Sequence, residues 1–127
     1  MEENNNKKKV LIIDDDEFLL DMYLTKFREA GFDVETVFSA KDALEKIRSG
    51  LSPDIVLLDI LMAGMNGFEF LDVVKKDNLL KNSKIIILSN LGQKEDIEKG
   101  LAKGVDNYIV KAYFTPSEIV KKVKELL

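Results

Sequence analysis

Three short apolar runs constrain the fold most strongly: VLII at residues 10–13, IVLL at 55–58 and IIIL at 85–88. Each run is apolar at every position and rich in branched residues, whereas a strand with one solvated face would alternate apolar and polar residues. Uninterrupted apolar strands are typical of parallel sheets, whose crossover helices cover both faces. The runs therefore predict a parallel sheet buried between two layers of helices.

Two weaker strand patterns complete the sheet. DVETVF at residues 33–38 mixes polar and apolar residues and suits an exposed edge strand, while YIV at 108–110 is short but wholly apolar in pattern. Helical periodicity fills the intervals, over residues 17–30, 40–49, 67–76, 93–103 and from Thr115 to the end. Strands that alternate with helices predict a doubly wound α/β fold, (βα)5, and for five parallel strands the flavodoxin-like order 2-1-3-4-5 is expected.

The first helix carries a broad apolar face, which we expect to be buried; its members are Phe18, Leu20, Met22, Leu24 and Phe27. Helix 93–103 is the weakest amphipathic helix, because its only apolar residues are Ile97, Leu101 and Ala102.

The last helix begins with a cap, a proline at its first position and an acid three residues after the cap: Thr115, Pro116 and Glu118. Its apolar positions are expected to face inward; they are Ile119, Val120, Val123 and Leu127.

Length and composition indicate one domain over residues 9–127, preceded by a short disordered lead at residues 1–8. The chain has no cysteine and no histidine, which excludes thiolate or imidazole catalysis and leaves oxygen atoms as metal ligands. A net charge of −4 without an extended basic stripe argues against direct nucleic-acid binding. The absence of a signal peptide or membrane-length apolar run predicts a cytoplasmic protein without membrane contact.

Polar residues follow four of the five predicted strands. Asp14 and Asp15 come after the first, Asp59 after the third, Ser89 ends the fourth and Lys111 follows the fifth. The carboxyl ends of parallel strands meet at one edge of the sheet, and ligands bind there where the strand order reverses, between strands 1 and 3. These five side chains are therefore expected to form one pocket.

Three carboxylates in one pocket repel one another. Two unit charges ~4 Å apart interact by about 4 kcal/mol at an effective dielectric constant near 20. Such a cluster persists when a cation occupies it or when one acid keeps its proton. With oxygen ligands alone, Mg²⁺ is the expected cation, and Lys111 is placed to compensate further charge.

The sequence resembles the receiver domain of bacterial response regulators from about Lys9 to the last helix. The stretches that carry the resemblance are IIDDD (12–16), DILMAGMNGFEF (59–70), ILSN (87–90) and YIVKAYFTP (108–116). The resemblance implies a two-component phosphorelay, in which a sensor histidine kinase or a phosphotransfer protein donates a phosphoryl group to Asp59. It implies a signalling switch that acts on a downstream protein target, and no turnover enzyme.

The resemblance also implies a role for each pocket residue. Asp15 would bind Mg²⁺ directly, Asp14 mainly through water, and the backbone carbonyl of Leu61 would be a further ligand beside Asp59. Ser89 and Lys111 would contact phosphoryl oxygens. Tyr108 matches the aromatic switch position. Its ring would turn inward when Ser89 moves, and this would change the face made by helix 4, strand 5 and helix 5.

The sequence departs from the family pattern at three positions. Ala63 and Ala112 stand where proline is usual, and Asn90 stands where a very small residue is usual. The usual proline after the lysine follows a cis bond, so both isomers of the Lys111–Ala112 peptide remain open. Leu61 and Leu91 flank the expected phosphoryl site without a polar group to orient water, which predicts slow hydrolysis of the aspartyl phosphate.

Two alternatives remain open from the sequence. A degenerate receiver would act as a binding module without phosphorylation. A haloacid-dehalogenase-like phosphatase would use Asp14 as nucleophile and Asp16 as its partner in D-x-D, although Phe18 departs from that pattern and the chain is short.

Overall fold

The computed structural model describes residues 7–127, so most of the predicted disordered lead, at residues 1–6, lies outside the described residues. The five strands and five helices alternate along the chain, and a short 3₁₀ turn at Lys111–Tyr113 precedes the last helix. Their bounds are β1 Lys9–Ile13, α1 Glu17–Glu29, β2 Asp33–Val37, α2 Ala40–Arg48, β3 Ile55–Leu58, α3 Gly67–Lys76, β4 Lys84–Ser89, α4 Lys94–Ala102, β5 Asn107–Val110 and α5 Pro116–Glu125.

The sheet is parallel throughout and has the order β2-β1-β3-β4-β5, as the alternation predicted. The register aligns the carboxyl ends of the central strands. Ile13 pairs with Leu58 across β1 and β3, and Ser89 pairs with Val110 across β4 and β5. The residues that follow these pairs consequently emerge at one edge of the sheet.

The apolar strands separate two cores, because successive side chains of a strand point to opposite faces. Leu11, Val56 and Leu58 pack on the side of α2 and α3. Val10, Ile12 and Leu57 pack on the side of α1 and α5. Burial on both faces explains why these strands lack alternation in the sequence.

Side-chain caps fix where the helices begin. Asp16 accepts a hydrogen bond from the backbone of Leu19 at the start of α1, and Ser39 caps α2 in the same manner. Capping boxes start α3 and α5, with Thr115 and Glu118 exchanging hydrogen bonds as the sequence predicted. The loops that leave the carboxyl ends of the strands are therefore anchored where the helices begin.

The predicted buried face of α1 was partly wrong. Phe18 is 76% exposed and Met22 is 37% exposed, whereas Tyr23 is buried. Leu20, Tyr23 and Phe27 share one helical stripe towards the sheet, and Phe18 and Met22 lie on the neighbouring stripe beside Pro116.

Leu127, which was expected to face inward from the last helix, is 50% exposed. It lies beyond the end of α5 at Glu125, so the helical periodicity that buries Ile119, Val120 and Val123 no longer fixes its direction.

Candidate functional site

The carboxyl ends of β1 and β3 bring Asp14 and Asp59 side by side. The backbone N–H of Asp59 donates to the Ile13 carbonyl at 3.0 Å, and that of Asp14 donates to the Val37 carbonyl at 3.2 Å. These bonds continue the sheet by one residue on each strand. Both carboxylates are buried, with 2% and 6% of the residue exposed.

Asp15 completes a cluster of three acids. One carboxylate oxygen from each of Asp14, Asp15 and Asp59 lies within 4.8 Å of the others. Asp15 is exposed, and its Oδ2 accepts a hydrogen bond of 3.3 Å from the backbone N–H of Ala63 in the loop after β3. The cluster therefore has two buried acids and one at the solvent side.

Lys111 brings a buried ammonium group into this cluster. Its Nζ lies 2.5 Å from Asp14 Oδ2 and 3.3 Å from Asp59 Oδ2. The lysine follows β5 directly and opens the 3₁₀ turn, and the Lys111–Ala112 peptide is trans, like the other peptide bonds of the described chain. One positive charge thus faces three carboxylates.

Burial raises the pKa of Asp59, because desolvation disfavours its charged form. The charge of Lys111 lowers the pKa, the charge of Asp14 raises it, and hydrogen bonds with Ser89 and the Ile60 N–H lower it. The Ile60 N–H donates to Asp59 Oδ1 at 2.8 Å. The net upward shift of the pKa is therefore due mainly to burial, since the charge of Lys111 has a larger effect than that of Asp14.

The negative potential extends below the pocket to Tyr23 of α1. Burial raises the pKa of its phenol to about 12, and the charges of Asp14, Asp59 and Asp16 add to the effect. Three acids beside one ammonium favour a second positive charge at this edge of the sheet, and the oxygen-only donor set suits a hard divalent cation.

A family model described as the response regulator receiver domain matches residues 10–124. The chain belongs to this family. Receiver domains are signalling switches of two-component systems, and they bind Mg²⁺ at an acidic pocket like the one formed by Asp14, Asp15 and Asp59. The family and the strand order confirm the predicted receiver fold.

Curated relatives and solved structures agree with this assignment. The chain is 35% identical over 109 residues to the DNA-binding response regulator MtrA of Mycolicibacterium paratuberculosis, covering 86% of this chain and 46% of MtrA. It is 33% identical over 75 residues to the phosphate regulon transcriptional regulatory protein PhoB of Escherichia coli, covering 59% of this chain and 32% of PhoB. The chain thus spans about half or less of the length of these curated relatives.

Solved structures match nearly the full length of this chain, as two examples show. The chemotaxis protein CheY4 of Vibrio cholerae superposes with a TM-score of 0.86 and 30% identity, covering 95% of this chain and 99% of that chain. The receiver domain of the Francisella response regulator 1452 gives a TM-score of 0.83 and 33% identity, covering 94% and 96%. Among residues 7–127, none of the helices has the length and apolar character that crossing a membrane requires.

Ser89 lies at the pocket end of β4 and is fully buried. Its hydroxyl oxygen accepts a hydrogen bond of 3.3 Å from the backbone N–H of Leu91. The carbonyl of Leu91 accepts a bond of 2.5 Å from the hydroxyl of Tyr108, which is half-buried on β5. The receiver domain therefore links the pocket serine to the aromatic side chain through one residue of the β4–α4 loop.

The loop after β3 places Leu61 at the mouth of the pocket, with its side chain 57% exposed. Asn90 and Ala63 are also exposed, so neither side chain fills the pocket. Asp16, the second acid of the phosphatase alternative, caps α1 and is absent from the acid cluster of the described residues.

Sequence reasoning missed Gly67, which begins α3. A methyl group on Gly67 would lie 2.4 Å from the Asp59 carbonyl oxygen and 2.8 Å from Ile60 Cδ1. The helix therefore abuts the backbone of the acid that follows β3. The only sequence signal for this contact was a glycine directly after Asn66 at a helix start. A helix cap explains the same pair, so the pair alone does not predict that the helix touches the backbone of Asp59.

Neutralising Asp59 is expected to stabilise the metal-free fold. In Asp59→Asn, one of three neighbouring negative charges and the desolvation cost of a buried carboxylate disappear. We expect the free energy of unfolding to rise by about 1–2 kcal/mol, at the low end of the gain from replacing a buried ion pair, because Lys111 keeps Asp14 as its partner. Urea unfolding at neutral pH with a chelator measures this. Asp15→Asn, at the exposed acid, should give a smaller gain, and a loss of stability in Asp59→Asn would contradict the repulsion.

Proposed function

We propose that this chain is a phosphoacceptor receiver in which Asp59 takes a phosphoryl group from a kinase phosphohistidine in a Mg²⁺-dependent reaction. The observation that carries the proposal is the position of the Lys111 ammonium, 2.5 Å from Asp14 and 3.3 Å from Asp59. It places positive charge beside the nucleophile and leaves the acid pair with unmatched negative charge. That combination suits a site for a cation and a phosphoryl group together.

Asp59 is the proposed nucleophile. One of its oxygens bonds to phosphorus while the bond between phosphorus and the donor imidazole nitrogen breaks, and that nitrogen keeps the electron pair. The Ile60 N–H holds Oδ1 of Asp59 at 2.8 Å, so the carboxylate is oriented before the donor arrives. Fixed orientation supports transfer because the loose transition state depends mainly on positioning and charge.

The donor set fits Mg²⁺, and Asp14, Asp15, Asp59 and the backbone carbonyl of Leu61 would hold it. When bound, Mg²⁺ neutralises the charge of the phosphoryl oxygens. The chain itself offers one ammonium against three carboxylates, so a divalent cation removes the remaining imbalance. With no histidine or cysteine in the sequence, a softer transition metal lacks its preferred ligands.

Lys111 and Ser89 are the proposed contacts of the transferred group. The Lys111 ammonium would exchange part of its contact with Asp59 for a phosphoryl oxygen. The buried Ser89 hydroxyl, which hydrogen-bonds Asp59, would turn its proton to another phosphoryl oxygen while its oxygen still accepts the Leu91 N–H.

The proposed switch runs from Ser89 to Tyr108. Movement of the Ser89 hydroxyl towards a phosphoryl group would shift Leu91, whose carbonyl holds the Tyr108 hydroxyl at 2.5 Å. The face of α4, β5 and α5 would change with it and bind a downstream protein target.

A sensor histidine kinase or phosphotransfer protein is the proposed donor. Large apolar side chains are exposed a few positions along the chain from pocket residues: Phe18 follows Asp15, Leu61 follows Asp59 and Tyr113 follows Lys111. Phe18 and Met22 also line a cavity of about 350 Å³ with Pro116. Exposed apolar groups around a charged site suit a protein donor, which would cover them during transfer.

Acetyl phosphate with Mg²⁺ tests the proposal. Intact mass spectrometry should show one added phosphoryl group on the wild-type chain, and none when Mg²⁺ is chelated. Asp59→Asn should remain unlabelled. The degenerate-receiver alternative, which the departures at Ala63, Asn90 and Ala112 motivate, predicts no added mass on the wild-type chain under any of these conditions.

Slow hydrolysis of the aspartyl phosphate is a further expectation. Leu61 and Leu91 offer no polar side chain to orient an attacking water. Labelled protein freed of donor should keep its phosphoryl group for minutes or longer, measured by intact mass over time. Leu61→Asn should shorten that lifetime several-fold, with Leu61→Met as the matched apolar control. Loss of the wild-type label within seconds, without a phosphatase, would contradict the expectation.

A further inference from the structure

Gly100 is the buried residue of α4 and lies in its last turn, two residues before the helix ends at Ala102. The other members of α4 are exposed or half-buried. The helix therefore approaches the sheet through its glycine, and the space beside that glycine determines what α4 can pack against.

The ring of Tyr108 occupies this space. A methyl group on Gly100 would lie 2.9 Å from Cδ2 and 3.1 Å from Cε2 of Tyr108, and 2.6 Å from Cδ1 of Ile87. Carbon atoms that are not bonded pack at about 3.5–4.0 Å. Any side chain larger than hydrogen at position 100 thus competes with the tyrosine ring.

The ring is held at both ends. Gly100 accommodates its edge, and the Leu91 carbonyl accepts a bond from its hydroxyl at 2.5 Å. Tyr108 is half-buried, with solvent on its outer side, whereas Ile87 is fully buried. Rotation towards solvent is therefore open to the tyrosine, and only the terminal methyl of Ile87 can adjust.

Contacts on both sides of Gly100 tie α4 to α3. Nζ of Lys99 lies 4.6 Å from the centre of the Phe68 ring, and Lys103 donates to Asp72 at 2.8 Å. These contacts resist a shift of α4 away from the sheet. A side chain at position 100 should therefore displace the ring and leave the helix in place.

We propose that Gly100 is a positioning residue that sets the side-chain orientation of Tyr108 and, through it, the shape of the α4–β5 face. With alanine at this position the ring leaves its slot, the hydroxyl loses the Leu91 carbonyl, and the face presents an exposed aromatic side chain. The consequence for signalling rests on the proposed function, whereas the orientation of Tyr108 does not.

Fluorine NMR of protein labelled with 3-fluorotyrosine tests the proposal. The chain has three tyrosines, which single Tyr→Phe variants assign, and a soluble gadolinium chelate broadens the exposed ones. Tyr23 is 2% exposed and Tyr113 is 71% exposed, so they bracket the scale within each sample. In Gly100→Ala, broadening of the Tyr108 signal should rise several-fold, to the level of Tyr113, while Tyr23 stays protected.

Leu101→Ala, at the exposed neighbouring position of α4, should leave the Tyr108 signal unchanged. If Gly100→Ala does not fold, Ile87→Val combined with Gly100→Ala removes the clash with Cδ1 and leaves the tyrosine ring as the close contact. Unchanged protection of Tyr108 in a folded alanine variant would overturn the proposal. Failure of acetyl phosphate to label Asp59 would instead overturn the proposed function and leave this result intact.

Discussion

Lys111→Met is expected to lower the free energy of unfolding by about 3 kcal/mol at neutral pH without divalent cations. Removal of one partner from a buried ion pair typically costs about 3–5 kcal/mol, because the remaining charge stays buried without compensation. Here Asp14 and Asp59 would both lose their buried ammonium. We place the effect at the low end because Asp59, whose pKa is already raised by burial, can take up a proton.

Urea unfolding of Lys111→Met and wild type measures this difference. Lys121→Met is the matched control, since Lys121 is exposed on α5 and its loss should change stability little. The variant should also take up phosphoryl groups from acetyl phosphate more slowly. Equal stability of Lys111→Met and the control would contradict the role of the ammonium in compensating the acids.

Gly67→Ala is expected to cost about 2–3 kcal/mol, although alanine favours helices more than glycine does. The new methyl group would meet the Asp59 carbonyl oxygen at 2.4 Å and Ile60 Cα at 2.9 Å. Both are backbone atoms, so relief requires that α3 or the end of β3 move. We also expect slower phosphorylation, because the same backbone orients the Asp59 carboxylate.

Gly92→Ala is the control for this variant, because the same substitution is made at a glycine with less severe contacts. Its methyl group would meet only side-chain atoms, the Val110 methyls at 3.2 and 3.4 Å and the Tyr113 hydroxyl at 3.8 Å, which can adjust. Chemical denaturation should therefore show a smaller cost for Gly92→Ala than for Gly67→Ala. A Gly67→Ala protein as stable as wild type would show that α3 does not press on the acceptor strand.

The strand order was predictable because a strand buried on both faces is apolar at every position, as residues 10–13 and 55–58 are. The pocket was predictable for a related reason. Parallel strands share one carboxyl edge, so residues that follow different strands meet whatever their separation in sequence. Lys111 and Asp14 lie 97 residues apart and still form a contact of 2.5 Å.

Close approaches between elements were not predictable in this way. The roles of Gly67 and Gly100 depend on the distance between a helix and the sheet, which periodicity does not encode. The prediction of the buried face of α1 was partly wrong for a different reason. Its apolar residues cover more than one stripe, and the hydroxyl of Tyr23 made the truly buried stripe look less apolar than the stripe of Phe18.

Reductive trapping tests most directly whether Asp59 is the phosphoacceptor. The protein is treated with acetyl phosphate and Mg²⁺, then with borohydride, which reduces an acyl phosphate to an alcohol and leaves free carboxylates unchanged. Peptide sequencing by mass spectrometry should find homoserine at position 59, dependent on Mg²⁺, and unmodified aspartate at positions 14 and 15. Homoserine at position 14 or 15, or at none of the three, would contradict the account.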